Sequence, residues 1–573
     1  MKYLFFVLGY FAVIAGGNAQ NALIIPPSIS GTSFQLNVQN GTKVFYTGTS
    51  TPTYGINGPI LAPTLIVNKG DSITLAVHNG LTVPTTMHWH GLHVAAYNDG
   101  GPGQIIGINA TWSPSFVLRN NAGTYWYHPH GAGQTDPQVS KGLAGMIIIH
   151  DSAEMQLNLP RTYGVDDIPL IVQTKAFDVL QQIAISTEMD TAIFVNGTLH
   201  PTFQAPAQVI RFRLLNGSSM RSYNFGFSNN QSFYQIATDG GLKDTPVLLN
   251  RLRLSPGERA EILVDFQGMN GQNVDLISYA SEMMNGIYGA AMVGMQEDTI
   301  DGYSQNFLNG ADFTILNINI IPINASPVTS IPSSLTPYTP YNKDSSTVTR
   351  YIVFDTLRKL PLDRPNLADG PFGINNKSFS MDTINISTTI NSQEVWVLVN
   401  KTLVAHPFHI HDVQFNVIEQ SGSSPSTSQV GWKDVVLVLP QDSVKFVTRF
   451  ETFANATVPY MYHCHLLHHE DDGMMGQFIV VDNTNTSIQP ISNNTFDIFP
   501  NPANQQLKVI AGESVGSGTI SLIDVSGRTV LTKNIANNSY PIQIDVASIT
   551  NGLYYLVNSD PQQKHAAKVI IQH

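Results

Sequence analysis

The chain has 573 residues, enough for about three or four domains, so a single small module is excluded. Charged residues make up 12% of the sequence and hydrophobic residues 42%, which excludes a disordered chain and indicates folded domains with a weakly charged surface. The 29 Lys and Arg residues against 41 Asp and Glu residues give a formal net charge of −12. Because there is also no basic run, the sequence does not predict the positively charged surface that nucleic-acid binding needs. Small molecules are the expected partners.

The N-terminal segment has the pattern of a secretory signal. Lys2 supplies a short positive region, an apolar run follows from Tyr3 to Ile14, and small residues precede Gln20. We therefore expect residues 1–19 to be a signal peptide that is removed on export. A membrane anchor is the alternative, but this run is shorter than the roughly 20 apolar residues that a spanning helix needs. Since no later segment qualifies either, we expect no transmembrane segment in the mature chain.

The body of the chain reads as a succession of short β-strands. Apolar runs are brief, rich in Val, Ile, Thr and aromatic residues, and separated by turn residues among the 45 Gly and 33 Pro, which predicts an all-β fold of sandwiches. Three segments look like copies of one strand ending in Asn, at 70–79, 207–216 and 392–400. A second set of copies is predicted at 123–128, 257–266 and 458–463. These repeats predict three related sandwich domains at 21–155, 160–325 and 345–485, a polar linker at 484–494, and a different small β unit at 495–573.

Histidine is concentrated in four segments of the first and third predicted domains. A single His-x-His pair is a weak signal, but four such segments, placed symmetrically in two copies of one fold, predict a metal centre. They hold eleven of the seventeen histidines. The segments are His88-Trp-His90, His128-Pro-His130, His406-Pro-Phe-His409-Ile-His411, and the stretch from His463-Cys464-His465 through His469 to Met474.

Strand parity divides these residues into two sets. Neighbouring side chains in a strand point to opposite faces, so Cys464 faces away from His463 and His465. The first set has one thiolate, two imidazoles and a weak thioether, which is the ligand set of a blue-copper electron-transfer centre. It comprises His406, Cys464, His469 and Met474, the last two expected on the loop that follows the cysteine.

The second set contains only imidazoles. Eight neutral nitrogens without a carboxylate favour copper over magnesium or calcium and are too many for one ion, so a multinuclear copper cluster between the first and third domains is predicted. Because Cys464 is bonded through the backbone to two members of this set, the spacing implies an electron relay from the blue copper to the cluster. The members are His88, His90, His128, His130, His409, His411, His463 and His465.

The four segments resemble the copper motifs of the multicopper oxidases, and with the three repeats the resemblance covers roughly residues 25–485. It implies three cupredoxin-like Greek-key β-sandwiches, four copper ions, and a reaction that takes four single electrons from a donor and reduces O2 to two waters. It also implies which ion each residue holds. The type 1 ligands would be His406, Cys464, His469 and Met474; the type 2 ligands His88 and His409; the type 3 ligands His90, His128 and His465 for one ion and His130, His411 and His463 for the other.

Water formation consumes protons as well as electrons, so carboxylates are expected beside the cluster. Asp99 and Glu470 match the acids that the family places near its type 2 and type 3 copper ions. The alternative for each is an exposed turn carboxylate. With Cys464 as the electron conduit, Asp99 and Glu470 complete the predicted catalytic residues.

The third repeat most resembles the bacterial cuprous oxidase and bilirubin-oxidase-like branch, but it differs just before the first type 1 histidine. Cuprous oxidases carry an acid and methionines there, whereas this chain has Thr402-Leu-Val-Ala405. We therefore expect a laccase-like enzyme that oxidises phenols or aromatic amines at an exposed edge of His406 or His469. The alternatives are a cuprous oxidase for copper tolerance, a non-catalytic copper-binding protein, and a copper nitrite reductase.

Four nearby methionines could form a copper-binding patch, but their irregular spacing favours core packing. They are Met283, Met284, Met292 and Met295.

The last unit resembles the type IX secretion sorting domain. The resemblance rests on Pro500-Asn-Pro502, on Gly527-Arg528 in a hairpin, and on Gly552-Leu-Tyr-Tyr555. It implies export by the type IX secretion machinery to the outer-membrane surface or the medium. A carbohydrate-binding or adhesion module is the alternative.

Overall fold

The computed structural model describes residues 21–185, 189–295, 299–300, 303–357, 370–482, 496–511, 518–525, 527–535, 541–559 and 564–573. The predicted signal peptide at 1–19 and the predicted linker at 484–494 lie outside the described residues. The chain divides into two compact units after Val481.

Regular structure in the described residues is almost entirely β-strand, which confirms the predicted fold class. The α-helices Thr135–Lys141 and Leu467–Asp471 have only 7 and 5 residues. No described helix is long and apolar enough to cross a membrane. Short 3-10 turns lie at Ala96–Asn98, Glu154–Gln156, Ala280–Glu282, Lys343–Ser345 and Thr427–Gln429.

The first sandwich encloses a core that includes Leu36, Leu75 and Ile147. One sheet contains Thr51–Ile56, Ser33–Lys43 and Ser72–Asn79, with Thr111–Trp112 and Ser115–Val117 both paired to the last of these. The other sheet has the order Ser28–Ser30, Thr64–Asn68, Gly145–His150, Gly123–His128 and His88–His90. The strand His88–His90 is therefore at a sheet edge.

The second sandwich packs Ile210, Ile262, Phe225 and Leu276 between its sheets. One sheet has the order Thr198–Leu199, Ala192–Val195, Asp167–Phe177, Val209–Asn216, Arg259–Asp265, Phe233–Thr238 and Gly241–Leu249, with Ile183–Ala184 on Asp167–Phe177. The other has the order Asn21–Ala22, Pro201–Pro206, Phe313–Ile321, Asn273–Ser278, Tyr223–Phe227 and Leu252–Leu254. A separate ribbon joins Thr299–Ile300 to Tyr303–Ser304.

The third sandwich packs Trp396, Phe408, Phe446 and Phe478 in its core. One sheet has the order Phe372–Ile374, Val348–Thr356, Gln393–Asn400, Ser443–Arg449 and Phe415–Gln420. The other has the order Ile386–Thr389, Met475–Val481, Asn455–Cys464, His406–Ile410 and Val435–Val438. The cysteine and the third histidine segment thus lie on neighbouring strands.

The three strands predicted as copies end in the same local structure. In each, the amide of the final asparagine donates to carbonyls of the following loop, and its side-chain oxygen accepts from the backbone N–H two residues later. This turn fixes where the next strand starts. The asparagines are Asn79, Asn216 and Asn400.

The second predicted set of copies is wrong in its middle member. Arg259–Asp265 pairs with Val209–Asn216, as Ser443–Arg449 pairs with Gln393–Asn400 in the third sandwich. The strand that corresponds to 123–128 and 458–463 is Asn273–Ser278. Both candidates alternate apolar and polar residues, and only the pairing partner distinguishes them.

The predicted first domain begins at 21, yet Asn21–Ala22 pairs with Pro201–Pro206 of the second sandwich. The remaining predicted domain boundaries stay predictions.

The C-terminal unit is a small β-sandwich around Leu507, Ile520, Leu556 and Val569. One sheet contains Phe496–Phe499, Gln506–Ala511 and Ile542–Asp545. The other has the order Thr529–Ile535, Gly518–Asp524, Gly552–Ser559 and Lys564–Ile571.

Candidate metal centre

Strand pairing places the histidine segments side by side. In the first sandwich His88 lies opposite His128 on antiparallel strands, and in the third His409 lies opposite His463. The rings of the two sandwiches then meet, because His90 stacks on His409 with centroids 3.8 Å apart. All twelve predicted ligands are buried, with at most 2% of each residue's surface exposed: His88, His90, His128, His130, His406, His409, His411, His463, Cys464, His465, His469 and Met474.

Three of the predicted type 1 ligands converge around the cysteine. The Cys464 sulfur lies 3.5 Å from His406 Nδ1 and 3.8 Å from His469 Nδ1, and these two nitrogens are 3.3 Å apart. The outer nitrogens are hydrogen-bonded elsewhere: His406 Nε2 lies 2.9 Å from the Thr402 hydroxyl and His469 Nε2 lies 2.9 Å from the Tyr288 hydroxyl. Each ring therefore points its inner nitrogen at one shared position.

Met474 is tied to the same position by its backbone. The Cys464 N–H donates to the Met474 carbonyl at 3.0 Å, and the Met474 N–H donates to the His469 carbonyl at 2.9 Å. His469 itself lies on the short helix Leu467–Asp471 rather than on the expected loop.

A second group joins the two sandwiches through His90, His128 and His465. His90 Nδ1 lies 3.4 Å from His128 Nε2 and 3.3 Å from His465 Nε2. The other His90 nitrogen is 3.0 Å from the carboxylate of Asp434. The predicted ligands of one type 3 ion are thus brought together.

The third group contains His130, His411 and His463. His463 Nε2 lies 3.1 Å from His130 Nε2 and 3.4 Å from His411 Nε2. The predicted ligands of the other type 3 ion therefore also share one position.

The last pair, His88 and His409, presents unpaired nitrogens. Their Nδ1–H groups donate to the backbone carbonyls of Asp99 and Asp434, at 2.9 Å and 2.8 Å, which leaves Nε2 as the lone-pair atom. Both Nε2 atoms are buried without a hydrogen-bond partner. Buried orphan acceptors are costly, and a bound cation would satisfy them.

The chemistry of these donors fits copper. Burial lowers the pKa of His128, His406 and His411 to about 3, so the rings are neutral ligands at pH 7. Burial raises the pKa of the Cys464 thiol, so a thiolate forms there only when a metal replaces the proton. Facing lone pairs 3.1–3.4 Å apart also call for a cation between them. Imidazole and thiolate donors without a carboxylate are typical of copper sites.

Comparison with known proteins decides the family. Residues 37–154 and 347–484 match the multicopper oxidase family. The multicopper oxidase mco of Staphylococcus haemolyticus is 34% identical over 461 residues, covering 78% of this chain and 89% of the relative. This chain is a multicopper oxidase. It is therefore an oxidoreductase that uses copper.

Solved structures agree with this assignment. The laccase-like multicopper oxidase CueO from the lignin-degrading bacterium Ochrobactrum sp., described as oxidising lignin model compounds and lignosulfonate, is 31% identical. It superposes with a TM-score of 0.69 over 80% of this chain and 100% of that one. The multicopper oxidase from Campylobacter jejuni, described as a metallo-oxidase, is 25% identical with a TM-score of 0.66 over 81% of this chain and 96% of that one.

The C-terminal unit of the oxidase also has a family match. Residues 497–572 match the secretion system C-terminal sorting domain. This confirms the predicted sorting domain and indicates export by type IX secretion.

Two predicted acids of the oxidase lie between the sandwiches. Asp99 Oδ2 is 2.6 Å from His411 Nδ1 and Asp99 Oδ1 is 3.4 Å from His88 Nδ1. Glu470 lies 3.1 Å from His463 Nδ1 and 3.5 Å from His130 Nδ1. Each carboxylate thus bridges one histidine of each sandwich.

Both acids are buried, so the alternative of exposed turn carboxylates is wrong. Burial by itself raises the pKa of Asp99, but His411 and His88 outweigh it and hold the pKa below its ordinary value. The pKa of Glu470 is lowered in the same way, by His130 and His463 against burial. The two acids are therefore ionised at neutral pH.

Sequence reasoning missed the residues that hold the outer nitrogens. Thr402 and Tyr288 contact the predicted type 1 histidines, and Asp434 contacts His90 and His409. The sequence signals for Asp434 are its place in Gly431-Trp-Lys-Asp434, one of the segments that resemble the family, and its position directly before the apolar strand Val435–Val438.

The expected exposed edge of His406 or His469 is wrong, since these residues are 0% and 2% exposed. The segment that contains Tyr288 covers them: the Ala405 N–H donates to the Gly286 carbonyl at 2.7 Å, and the Met295 N–H donates to the Leu403 carbonyl at 3.0 Å. Electrons from a donor must therefore cross at least one layer of protein.

Core packing is confirmed for Met283, which is 9% exposed, and Met292 is partly buried. Met284 and Met295 are 60% and 39% exposed, on the segment that covers the type 1 histidines. They are not core residues.

Proposed function

We propose that this multicopper oxidase is laccase-like, taking four single electrons from phenolic or aromatic-amine donors and reducing O2 to two H2O. Copper supplies one-electron redox chemistry at four ions, one type 1, one type 2 and two type 3. The ligands are those assigned from the family resemblance: His406, Cys464, His469 and Met474; His88 and His409; His90, His128 and His465; His130, His411 and His463.

The observation that carries the oxidase proposal is the placement of one tripeptide. Cys464 lies within 3.8 Å of both type 1 imidazoles. Its neighbours His463 and His465 reach 3.1 Å from His130 and 3.3 Å from His90, in the two type 3 groups. Covalent bonds therefore join the electron-accepting site to both halves of the cluster. A storage protein has no need of this connection.

Proton supply falls to the two buried acids. Asp99 contacts the type 2 ligand His88 and the type 3 ligand His411, so its carboxylate can accept a proton beside the cluster and pass it on during turnover. Glu470 occupies the matching place between His130 and His463. The two acids lie on different histidine pairs, which provides two separate positions for proton transfer.

The residues around the proposed electron-entry site favour an organic reductant over Cu(I). Thr402-Leu-Val-Ala405 offers no carboxylate or thioether for Cu(I), and the Thr402 hydroxyl is already bonded to His406. The His469 ring contacts Tyr288 through a 2.9 Å hydrogen bond. We infer that a donor bound over this segment passes its electron through Tyr288 to His469.

One observation favours the cuprous alternative. Met284 and Met295 expose thioethers on the segment that covers His469, and thioethers are soft ligands that select Cu(I).

Steady-state oxygen consumption separates the two donors. We expect the copper-loaded oxidase to turn over a dimethoxyphenol faster than Cu(I), and a Met284→Leu/Met295→Leu variant to keep its phenol activity because Leu preserves the apolar volume. Met155→Leu is the matched control, because Met155 is 53% exposed and lies at the end of the first sandwich. Oxygen uptake with Cu(I) alone, lost in the double variant and not in the control, would show a cuprous oxidase instead.

We also propose that export begins with the signal peptide at 1–19, so that the chain binds copper after translocation. N-terminal sequencing of the exported protein should give Gln20 first. Retention of Met1 in the exported protein would contradict this.

A further inference from the structure

The second sandwich contributes no predicted copper ligand, yet one of its turns lies against the trinuclear cluster. This turn, Ser255–Arg259, joins the strands Leu252–Leu254 and Arg259–Asp265. At its tip Gly257 has φ +84°, and a Cβ there would come within 2.9 Å of the His465 ring. The turn is therefore packed directly on a type 3 ligand.

Arg259 extends from this turn into the boundary of all three sandwiches. Its Nε donates to the Thr124 carbonyl of the first sandwich at 3.1 Å, and its Nη2 donates to the Asp239 carbonyl of the second at 2.8 Å. Nη1 donates to the Gly257 carbonyl at 3.1 Å. These three bonds hold the guanidinium plane in one orientation.

The two remaining guanidinium protons are directed at the third sandwich. Nη1 and Nη2 of Arg259 donate to separate oxygens of Asp434, at 2.5 Å and 2.7 Å. All five donors of the guanidinium are thus used, and both side chains are 0% exposed. The orientation of the Asp434 carboxylate is fixed by Arg259.

Asp434 contacts two ligands, one through its carboxylate and one through its backbone carbonyl. Its Oδ1 accepts from the His90 Nε2–H at 3.0 Å, and its backbone carbonyl accepts from the His409 Nδ1–H at 2.8 Å. These bonds determine which nitrogen of each ring is free to bind metal. The carboxylate held by Arg259 thereby orients His90, and the His90 ring stacks on the type 2 ligand His409 with centroids 3.8 Å apart.

We propose that Arg259 is a positioning residue that acts through Asp434, so that the ligand-free second sandwich sets the geometry of the trinuclear copper cluster. This rests on the proposed function, because it assumes copper at the assigned ligands. A purely structural role for Arg259 would affect stability and leave the electronic structure of bound copper unchanged. Spectroscopy of the bound copper therefore distinguishes the two roles, whereas a loss of activity alone would not.

The test is Arg259→Lys, which keeps the charge but cannot form the two parallel bonds to a carboxylate. We expect the type 1 absorption to be retained, the type 2 electron paramagnetic resonance parameters to change, and kcat to fall about 10–100-fold, as for other partners of metal-bound histidines. The KM for the donor should stay constant, because the electron-entry site is elsewhere.

Arg211→Lys is the matched control. Arg211 is also buried in the second sandwich and bonds to Glu154 and Glu261, but it contacts no predicted ligand. We expect it to lower the melting temperature and to leave the type 2 resonance unchanged. If Arg259→Lys altered the resonance no more than Arg211→Lys does, the positioning role would be refuted.

Asp434→Asn provides the second variant and covers the case in which Arg259→Lys does not fold. It should alter the type 2 resonance by itself, and adding Arg259→Lys should cause no further change, since the two residues act in series. Additive changes would overturn the proposal that Arg259 acts through Asp434. Absence of type 1 and type 2 signals in the unmodified oxidase would instead refute the proposed function, so the two failures are distinguishable.

Discussion

The second sandwich differs from the first and third at corresponding places in the same fold. Counting nine residues from the strand-ending asparagine gives His88 in the first, Phe225 in the second and His409 in the third. The residues paired with them across the sheet are His128, Ser278 and His463. The same backbone positions thus carry buried histidines in two copies, and Phe225 and Ser278 in the other.

The difference shows that whether a position in this fold can hold a metal ligand depends on what its side chain faces. Phe225 is 0% exposed and packs in the core of its own sandwich. His88 and His409 are equally buried, but they face histidines of another sandwich. The second sandwich contributes instead through Gly257 and Arg259, at a different place in the fold.

Replacing Cys464 by Ser should have the largest effect. A hydroxyl is a poor substitute for the thiolate, so we expect loss of the type 1 absorption and of all turnover, with the trinuclear ligands still loaded. Absorption spectroscopy and copper analysis measure both. Met474→Leu removes only the weak thioether and should keep the blue band. Turnover by Cys464→Ser would show that electrons enter the cluster by another route.

Asp99→Asn tests whether the contact between the first and third sandwiches also moves protons. An amide cannot exchange a proton, so kcat should fall roughly 100-fold while the type 1 absorption is unchanged. The measurement is single-turnover reoxidation of the reduced enzyme across pH. The exposed Asp265→Asn, on the second sandwich, should have wild-type kinetics. Wild-type reoxidation in Asp99→Asn would contradict the relay role.

Phe225→His tests whether a histidine at the corresponding position suffices to make a site. We expect no rise in the copper-to-protein ratio, because the position faces a closed apolar core. The free energy of unfolding should fall by about 3 kcal/mol, from lost packing and an unpaired ring nitrogen. Chemical denaturation measures this, with Phe225→Leu as a milder control. A fifth copper ion bound by Phe225→His would mean that local sequence alone creates a ligand site.

The smallest effect on stability is expected at the boundary between the first and second sandwiches, which is stabilised by buried ion pairs. Burial raises the pKa of Glu154, but the hydrogen bond from His150 and the charge of Arg211 outweigh it and lower the pKa below its ordinary value. A lowered folded-state pKa stabilises the fold above the unfolded-state value near 4.3, and this contribution is lost as pH falls through the folded-state value. Glu154→Gln should therefore reduce stability at pH 7 and flatten its decline in acid. Denaturation curves from pH 7 to pH 3 check this, and an unchanged acid limb would contradict it.

The sequence by itself determined the fold class, the three strand copies that end in Asn79, Asn216 and Asn400, and the sorting domain. It also predicted the twelve His, Cys and Met residues of the candidate metal centre, because ligand chemistry demands particular residue types at particular strand spacings. Strand parity was enough to separate Cys464 from His463 and His465. These are local properties, which a single sequence displays directly.

Only the tertiary structure decided which groups hold those ligands in place. Arg259 and Asp434 are 175 residues apart in sequence, and Tyr288 is 181 residues from His469. Burial of His406 and His469 likewise depends on a segment of another sandwich. Such contacts follow from how domains pack, and no local periodicity or motif encodes a hydrogen bond between distant strands.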